Sequence, residues 1–388
     1  MRVWFLTNGY GEDRAAALIA TELRARRPTL AVVAAPLVTP GIEFTARSVP
    51  VAVAGTAPPS GGFPFASVAT LVRDLPTVPA YLTYLRRLRR LALAGDQFVT
   101  AGDVFLTGVA HLAFGKRGVH VALAKSVHGQ PHTRIERVLL GRWASLVFAR
   151  DAETAAHLAA HGMRACFAGN PLVDHLAVVS ADAATRARPG RMWSAEDGDG
   201  PWAGGHVLLL PGSRAEAPRN LVKLLEVAAQ VTDPAAWVCA WPGALPIARA
   251  AQAAADAGWE TTGTQLSRGN RTVALLAGQF ESLLPGADVV VGLAGTANEQ
   301  AAALGKPVVT FAGCGPQTTA ARMEEQARLL GGAAQFVCGS ASEVASAVSA
   351  LLRAPAERSR RGALGMARLG PAGGAARIAD HLIEELGL

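Results

Sequence analysis

Short apolar runs alternate with longer stretches of helical period along most of this chain. Val3-Trp4-Phe5-Leu6 reads as a buried strand, Asn8-Gly9-Tyr10-Gly11 as a glycine turn, and Glu12 to Arg27 as a helix with Leu18, Ile19 and Leu23 on one face. Val32 to Ala35, Val104 to Leu106, Val119 to Leu123 and Leu146 to Phe148 read as further strands, and the Pro/Gly-rich stretch from Gly55 to Pro64 as loop. A second series starts at Val207 to Leu210 and continues through Trp237 to Ala240, Val289 to Val291, Val308 to Phe311 and Phe336-Val337. Ala375 to Leu386 has the pattern of an amphipathic helix. Such alternation predicts an α/β protein of parallel sheets built from βαβ units.

Between the two series, Ala181 to Gly205 is rich in Ala, Asp, Gly and Arg and shows no period, which suits a connection. The expected organisation is a domain at 1–172, a connection at 173–205, a domain at 206–372 and a C-terminal helix at 373–388 that packs back on the first domain. A length of 388 residues, half of them hydrophobic, is enough for two well-filled domains. Two Rossmann-like domains facing a cleft would place ligands at the carboxyl ends of the strands. The loops that matter are then Asn8 to Asp13, Pro211 to Glu216, Gly292 to Glu299 and Gly313 to Gln317.

Composition narrows the picture further. Cys166, Cys239, Cys314 and Cys338 are far apart, form no CxxC and have no His at zinc spacing, so a reduced, cytosolic protein is expected and no metal site is assigned. Met1-Arg2 leads straight into a strand, so no signal peptide is expected. No apolar run nears the ~20 residues of a transmembrane helix. Charge is uneven: residues 1–172 hold 19 Lys and Arg against 10 Asp and Glu, while residues 173–388 hold 18 against 20. The basic residues lack interleaved aromatics, so nucleic acid is not an expected partner. The helix-like stretch Tyr81 to Leu91 carries Arg86, Arg87, Arg89 and Arg90 between leucines. It reads either as an ordinary solvated face or as a surface that meets an anionic membrane.

The glycine loops carry the candidate chemistry. Pro218 would break a helix begun at Arg214 and suits one begun at Pro218, which leaves Gly212 to Glu216 as a free loop with one Arg, suited to a phosphate. Asn8 to Asp13 contains GxG without the third glycine of a dinucleotide fingerprint. Its Glu12 and Asp13 either complement a helix dipole or supply a general base. Thr296 and Glu299 match a capping box, but the same glycine turn could open a helix N-terminus to a ligand whose sugar hydroxyls Glu299 would receive. Gln317, after Gly313 to Pro316, is either a turn residue or a sugar contact. His128 and His132 are weaker ligand candidates, and no GxSxG elbow supports a hydrolase.

Taken in order, Asn8-Gly9-Tyr10-Gly11-Glu12-Asp13, Ala124-Lys125-Ser126, Arg150-Asp151, Gly169-Asn170-Pro171 with Asp174, Leu210 to Arg214 with Glu216 and Asn220, Gly295 to Gln300, and Gly315-Pro316-Gln317 resemble the lipid-A-disaccharide synthase-related family. That resemblance spans nearly the whole chain and implies the glycosyltransferase B (GT-B) fold. It further implies a metal-independent, inverting transfer of a sugar, such as N-acetylglucosamine or an acylated form, from a UDP-sugar to a lipid or glycolipid acceptor at the inner face of the cell membrane. No cofactor beyond the UDP-sugar substrate is implied. Gly212, Ser213, Arg214, Glu216, Gly295, Thr296, Asn298, Glu299, Gln300 and Gln317 would bind the donor. Asn8, Gly9, Gly11, Lys125 and Ser126 would lie on the acceptor side, and Glu12, Asp13 or Asp103 would act as base. The first loop departs from the true disaccharide synthases at Asn8 and Tyr10, which bears on the acceptor. Two other classes share the donor logic: a UDP-N-acetylglucosamine 2-epimerase-like isomerase, and a nucleotide-sugar-binding protein without catalysis.

Overall fold

The structure is a computed structural model that describes residues 1–56, 75–174, 176 and 205–388. The expected loop at 55–64 and connection at 181–205 therefore fall almost wholly outside the described residues. The chain divides into two compact units, Met1–Asp174 with Ala372–Leu388, and His175–Pro371.

The first unit is built on a six-stranded, wholly parallel sheet in the order β2-β1-β3-β4-β5-β6. The strands are β1 (Arg2–Thr7), β2 (Ala31–Pro36), β3 (Gln97–Gly102), β4 (Gly118–Ala122), β5 (Ala144–Phe148) and β6 (Ala165–Cys166). Its main helices are α1 (Tyr10–Arg26), α2 (Val78–Leu91), α3 (Val104–Phe114), α4 (Arg134–Trp143) and α5 (Ala152–Ala160). Alternate residues of β1 serve opposite faces. Val3 and Phe5 join a core with Ala16, Ile19 and Leu23 of α1, while Trp4 and Leu6 join another with Tyr84 and Leu88 of α2 and Leu106 of α3. Both faces are covered, which is why β1 is apolar throughout rather than alternating.

The second unit holds an eight-stranded sheet in the order β14-β13-β12-β7-β8-β11-β10-β9. Its parallel strands are β7 (Gly205–Leu210), β8 (Ala235–Trp241), β11 (Arg271–Ala277), β12 (Val289–Gly292), β13 (Val308–Thr310) and β14 (Ala334–Phe336). Its helices include α6 (Ala217–Gln230), α7 (Ile247–Asp256), α8 (Thr296–Ala303), α9 (Ala320–Leu330), α10 (Ala341–Arg353) and α11 (Pro355–Leu369). The last helix, α12 (Gly374–Leu386), belongs to the first unit, where Ala375, Ile378, Ala379 and Leu382 enter the core against α1. The Asp174 carboxylate accepts hydrogen bonds from the amides of Gly373, Gly374 and Ala375 at 2.7, 3.1 and 2.6 Å, satisfying the orphan donors of the helix start. Gly374 is required there, because a Cβ would sit within 2.8 Å of the Asn170 backbone.

Three expectations are corrected. Val104 to Leu106 is the first turn of α3 and not a strand. The Asp103 carboxylate accepts from Leu106 N at 3.0 Å and starts the helix, and the strand lies just before it at Gln97–Gly102. The second sheet is not purely parallel, since β9 (Glu260–Thr262) and β10 (Gln265–Arg268) pair antiparallel at its edge. Arg268 pairs with Arg271 across Gly269-Asn270, and the positive φ of Gly269 permits the tight turn. Finally, the Thr296–Glu299 capping box does not form. Gly295 is the N-cap of α8 and has no side-chain cap, which leaves Thr296 one place too far into the helix.

Candidate functional site

Both sheets reverse their strand order at one point. In the first the reversal lies between β1 and β3, in the second between β7 and β12. Loops diverge from such a point and open a crevice at the carboxyl edge. Nearly every residue that sequence singled out lies on these loops or on their neighbours.

In the first unit, Asn8 follows β1 and Asp103 follows β3. The Asn8 side chain donates to Asp103, and its oxygen lies over Gly102, where a Cβ would be 1.9 Å away. Gly102 has φ +149°, so the close approach and the backbone both demand glycine. Glu12, in the first turn of α1, folds its carboxylate over Gly9, whose absent Cβ would lie 2.1 Å from Oε2. Burial pushes the Glu12 carboxyl above its ordinary range; its own backbone amide opposes this, Asp103 and Asp13 add to it, and Arg150 opposes it. Burial likewise raises Asp103, against hydrogen bonds from Leu106 and Asn8. Two adjacent carboxyls that resist ionisation are suited to taking up and returning protons.

The other residues of this loop cluster are committed to structure. Asp13 is almost fully buried, and its two oxygens accept from the hydroxyls of Thr7 and Thr39, tying the ends of β1 and β2. Burial still raises its pKa in spite of those bonds. Lys125 is paired with Glu136 at 2.9 Å, and Ser126 is buried with its hydroxyl donating to Asp151 Oδ2 at 2.6 Å. Gly9 is the N-cap of α1 and Gly11 lies in that helix's first turn.

In the second unit, the loops after β7, β12 and β13 are neighbours. Gly212 has φ +85°, and a Cβ there would approach Leu293 O to 2.9 Å. Asn220 of α6 donates to Pro211 O at 3.0 Å and accepts from Cys314 N at 2.6 Å, joining two of the loops. Glu216 packs its carboxylate against Gly315, where φ is +94° and a Cβ would lie 2.6 Å from Oε1. Helix α6 begins at Ala217 with Pro218 in its first turn, so Gly212 to Glu216 stays outside the helix as the proline implied. Asn298 and Gln300 are buried, whereas Ser213, Arg214, Gly295 and Thr296 are exposed and Glu299 and Gln317 partly so. The exposed set therefore combines one guanidinium, two hydroxyls and the open amide end of α8, a combination suited to a phosphate.

Sequence reasoning missed Gln326 of α9. Its side chain accepts from Asn298 and donates to Gly295 O at 2.8 Å, which fixes the turn before α8. A Gln in mid-helix carries no local signal of such a task. Thr310 was missed for the same reason; its hydroxyl donates to Gly292 O at 2.7 Å.

On α2, Arg86, Arg87, Arg89 and Arg90 are all exposed; Tyr84 and Leu88 are spent on the protein's own core, while Leu82 and Leu91 are exposed. Exposed apolar side chains are Val78, Leu82 and Leu91 on α2, Phe105 and Leu112 on α3, and Ile135 and Val138 on α4. Arg89 Nε donates to Leu112 O at 2.9 Å, holding α2 to the end of α3. Among the described residues no helix is long and apolar enough to cross a membrane.

No known family's sequence model matches the chain, and no curated protein matches it in sequence. Solved structures match it along its whole length. UDP-GlcNAc 2-epimerase from Neisseria meningitidis, bound to UDP-GlcNAc, superposes with a TM-score of 0.63 at 16% identity, covering 99% of this chain and 100% of that one. MnaA of S. aureus with UDP gives 0.64 at 14% identity, covering 100% and 98%. The glycotransferase of kitacinnamycin gives 0.57 at 15%, covering 99% and 98%. The chain has the GT-B fold of these proteins. The finer likeness to lipid-A-disaccharide synthases rests on the sequence motifs alone.

Proposed function

We propose that this protein is an enzyme that acts on a UDP-linked N-acetylhexosamine, and that its reaction is an epimerase-like isomerisation of the sugar. The observation that carries the reading is the placement of Gly212 to Arg214 and Gly295-Thr296 on either side of the β7/β12 reversal. Those loops would hold the diphosphate through amides, hydroxyls and Arg214, and Glu299 would receive the ribose hydroxyls. The epimerases among the similar structures hold UDP-GlcNAc or are named for it, which supports a sugar isomerase over other uses of the fold. Epimerisation at C2 requires a base to take the C2 proton while the C–H electron pair forms a C1–C2 double bond and UDP leaves C1. UDP then re-bonds at C1 as an acid returns a proton to the opposite face of C2. Glu12 and Asp103, adjacent and both raised by burial, would supply the group on one of those faces. Asp13 has no free oxygen for that task.

Glycosyl transfer to a lipid acceptor is the second reading, favoured by the arginines of α2 beside the exposed Leu82, Phe105 and Leu112. Incubation of the purified protein with UDP-GlcNAc in deuterated buffer, without any acceptor, separates the two. Formation of the C2 epimer with deuterium at that carbon establishes the isomerase. Unchanged UDP-GlcNAc alone, with UDP released only on addition of a lipid acceptor, overturns it in favour of transfer.

A further inference from the structure

We propose that His128, Asp151 and Glu153 form a binding site for a divalent transition-metal ion of the zinc class. Asp151 follows β5 and caps α5, Glu153 lies in the first turn of that helix, and His128 comes from the loop after β4. His128 Nε2 is 3.9 Å from Asp151 Oδ1 and 3.6 Å from Glu153 Oε2, and the three ligand atoms lie within 4.8 Å of one another. Ligands bound tetrahedrally at about 2.0–2.2 Å stand roughly 3.3–3.5 Å apart. The triad is a little wider than that, and the Glu153 side chain, 59% exposed, is free to swing inward.

His128 provides an observation independent of the carboxylates. Its Nε2 is shut off from solvent and has no hydrogen-bond partner. Both flanking carboxylates are beyond hydrogen-bond distance, so neither accepts its proton. An orphaned ring nitrogen is costly, and a metal ion between it and the carboxylates would satisfy all three. The groups are also held in place. His128 N donates to Ser126 Oγ at 3.1 Å and Val127 N to Thr154 Oγ1 at 3.0 Å. Asp151 accepts from Ser126 Oγ on one oxygen and from Thr154 N at 2.7 Å on the other, the outer-shell support that metal-binding carboxylates use.

The donor set selects the ion class. One imidazole and two carboxylates suit Zn²⁺, Co²⁺ or Mn²⁺ rather than a soft thiophilic metal, and their two negative charges balance a dication. Three protein ligands leave a fourth position for water or an anionic oxygen. This inference stands apart from the reaction proposed above.

The test is a titration of tag-free, full-length protein, stripped with chelator, with Co²⁺ followed by absorbance and then displaced by Zn²⁺. The expected result is one saturable equivalent whose affinity falls by more than about tenfold in His128→Gln and in Glu153→Gln. His381→Gln, on α12 and not a member of the triad, leaves binding unchanged. Absence of saturable binding overturns the proposal, as does equal binding by the Glu153→Gln protein. Glu153 is exposed and makes no hydrogen bond that the fold depends on, so that variant decides the matter even if the His128 variant does not fold.

Discussion

Asn298 Nδ2 donates to Gln326 Oε1 at 2.9 Å, and Gln326 Nε2 donates in turn to Gly295 O at 2.8 Å. The second amide hydrogen of Asn298 reaches Gly292 O at 3.1 Å. Two side chains from different helices thus hold both ends of the turn that opens α8. Replacing Gln326 with Leu removes both bonds while keeping the bulk of the side chain. UDP affinity is expected to fall about tenfold, the equivalent of one or two net hydrogen bonds, and the thermal midpoint to fall modestly because the buried Asn298 amide loses an acceptor. Calorimetric titration with UDP checks this, and an unchanged affinity would detach the clamp from nucleotide binding.

The same turn predicts the behaviour of Gly292. A Cβ at this position would lie 1.8 Å from Asn298 Oδ1. The amide must then leave its place and give up its bonds to Gly292 O and Gln326. Gly292→Ala is expected to destabilise the protein by roughly 2–4 kcal/mol, combining overpacking with lost buried hydrogen bonds. Urea denaturation measures the cost, and a loss below the error of the method would mean that Asn298 relaxes without strain.

The path from sequence to site was legible where the signal was local. The apolar β1, the proline that pushes the start of α6 back to Ala217, and the glycine loops around Gly212 and Gly315 could be read from neighbours a few residues away. What stayed hidden is long-range. Gln326 acts on a turn 31 residues earlier in the chain, and Asp174 caps a helix about 200 residues later. The misread strand at Val104 has a different cause: a short apolar run has no period of its own. Only the Asp103 cap decides that it begins a helix. Thr296 and Glu299 show the opposite failure, a spacing that fits a capping box in sequence and misses it by one position in space.

Glu12 makes the acid–base assignment testable by pH. Its carboxyl is raised, chiefly by burial, and a base works only when ionised. The acid limb of the kcat/KM profile is therefore expected above the ordinary carboxylate range, with activity rising as pH climbs through the raised value. Glu12→Gln removes that limb and lowers kcat by about 10²–10⁴ while UDP binding is kept. A variant that turns over at the parent rate would shift the task to Asp103.

The arginines of α2 bear on the transfer reading. With Arg86, Arg87, Arg89 and Arg90 changed to Gln, binding to vesicles rich in phosphatidylglycerol is expected to drop at least about tenfold. The parent's binding should weaken as salt rises, because exposed charges are screened. Vesicles of phosphatidylcholine serve as the neutral control. Equal sedimentation of parent and variant with the anionic vesicles would leave those arginines as a solvated face and remove the support that they give to a lipid acceptor.

His120 predicts how stability follows pH. It lies in β4 with no exposure, its Nδ1 within 3.0 Å of the Thr100 and Thr107 hydroxyls, and its Nε2 has no hydrogen-bond partner. Burial, with a smaller contribution from His132, pushes its pKa down from 6.5 to about 3. The folded protein keeps the ring neutral while the unfolded chain protonates it below 6.5. Its contribution is therefore fully present above 6.5 and is lost as pH falls toward 3, with a slope of up to about 1.4 kcal/mol per pH unit. In His120→Leu the two threonine hydroxyls still have each other at 3.1 Å, and the titrating ring is gone. Between pH 7 and pH 5 the parent is expected to lose about 2 kcal/mol more stability than the variant. Urea denaturation of both proteins at the two pH values measures this difference. Parallel losses would mean that His120 takes up its proton inside the fold, and that the orphaned ring nitrogen has found a partner such as a buried water.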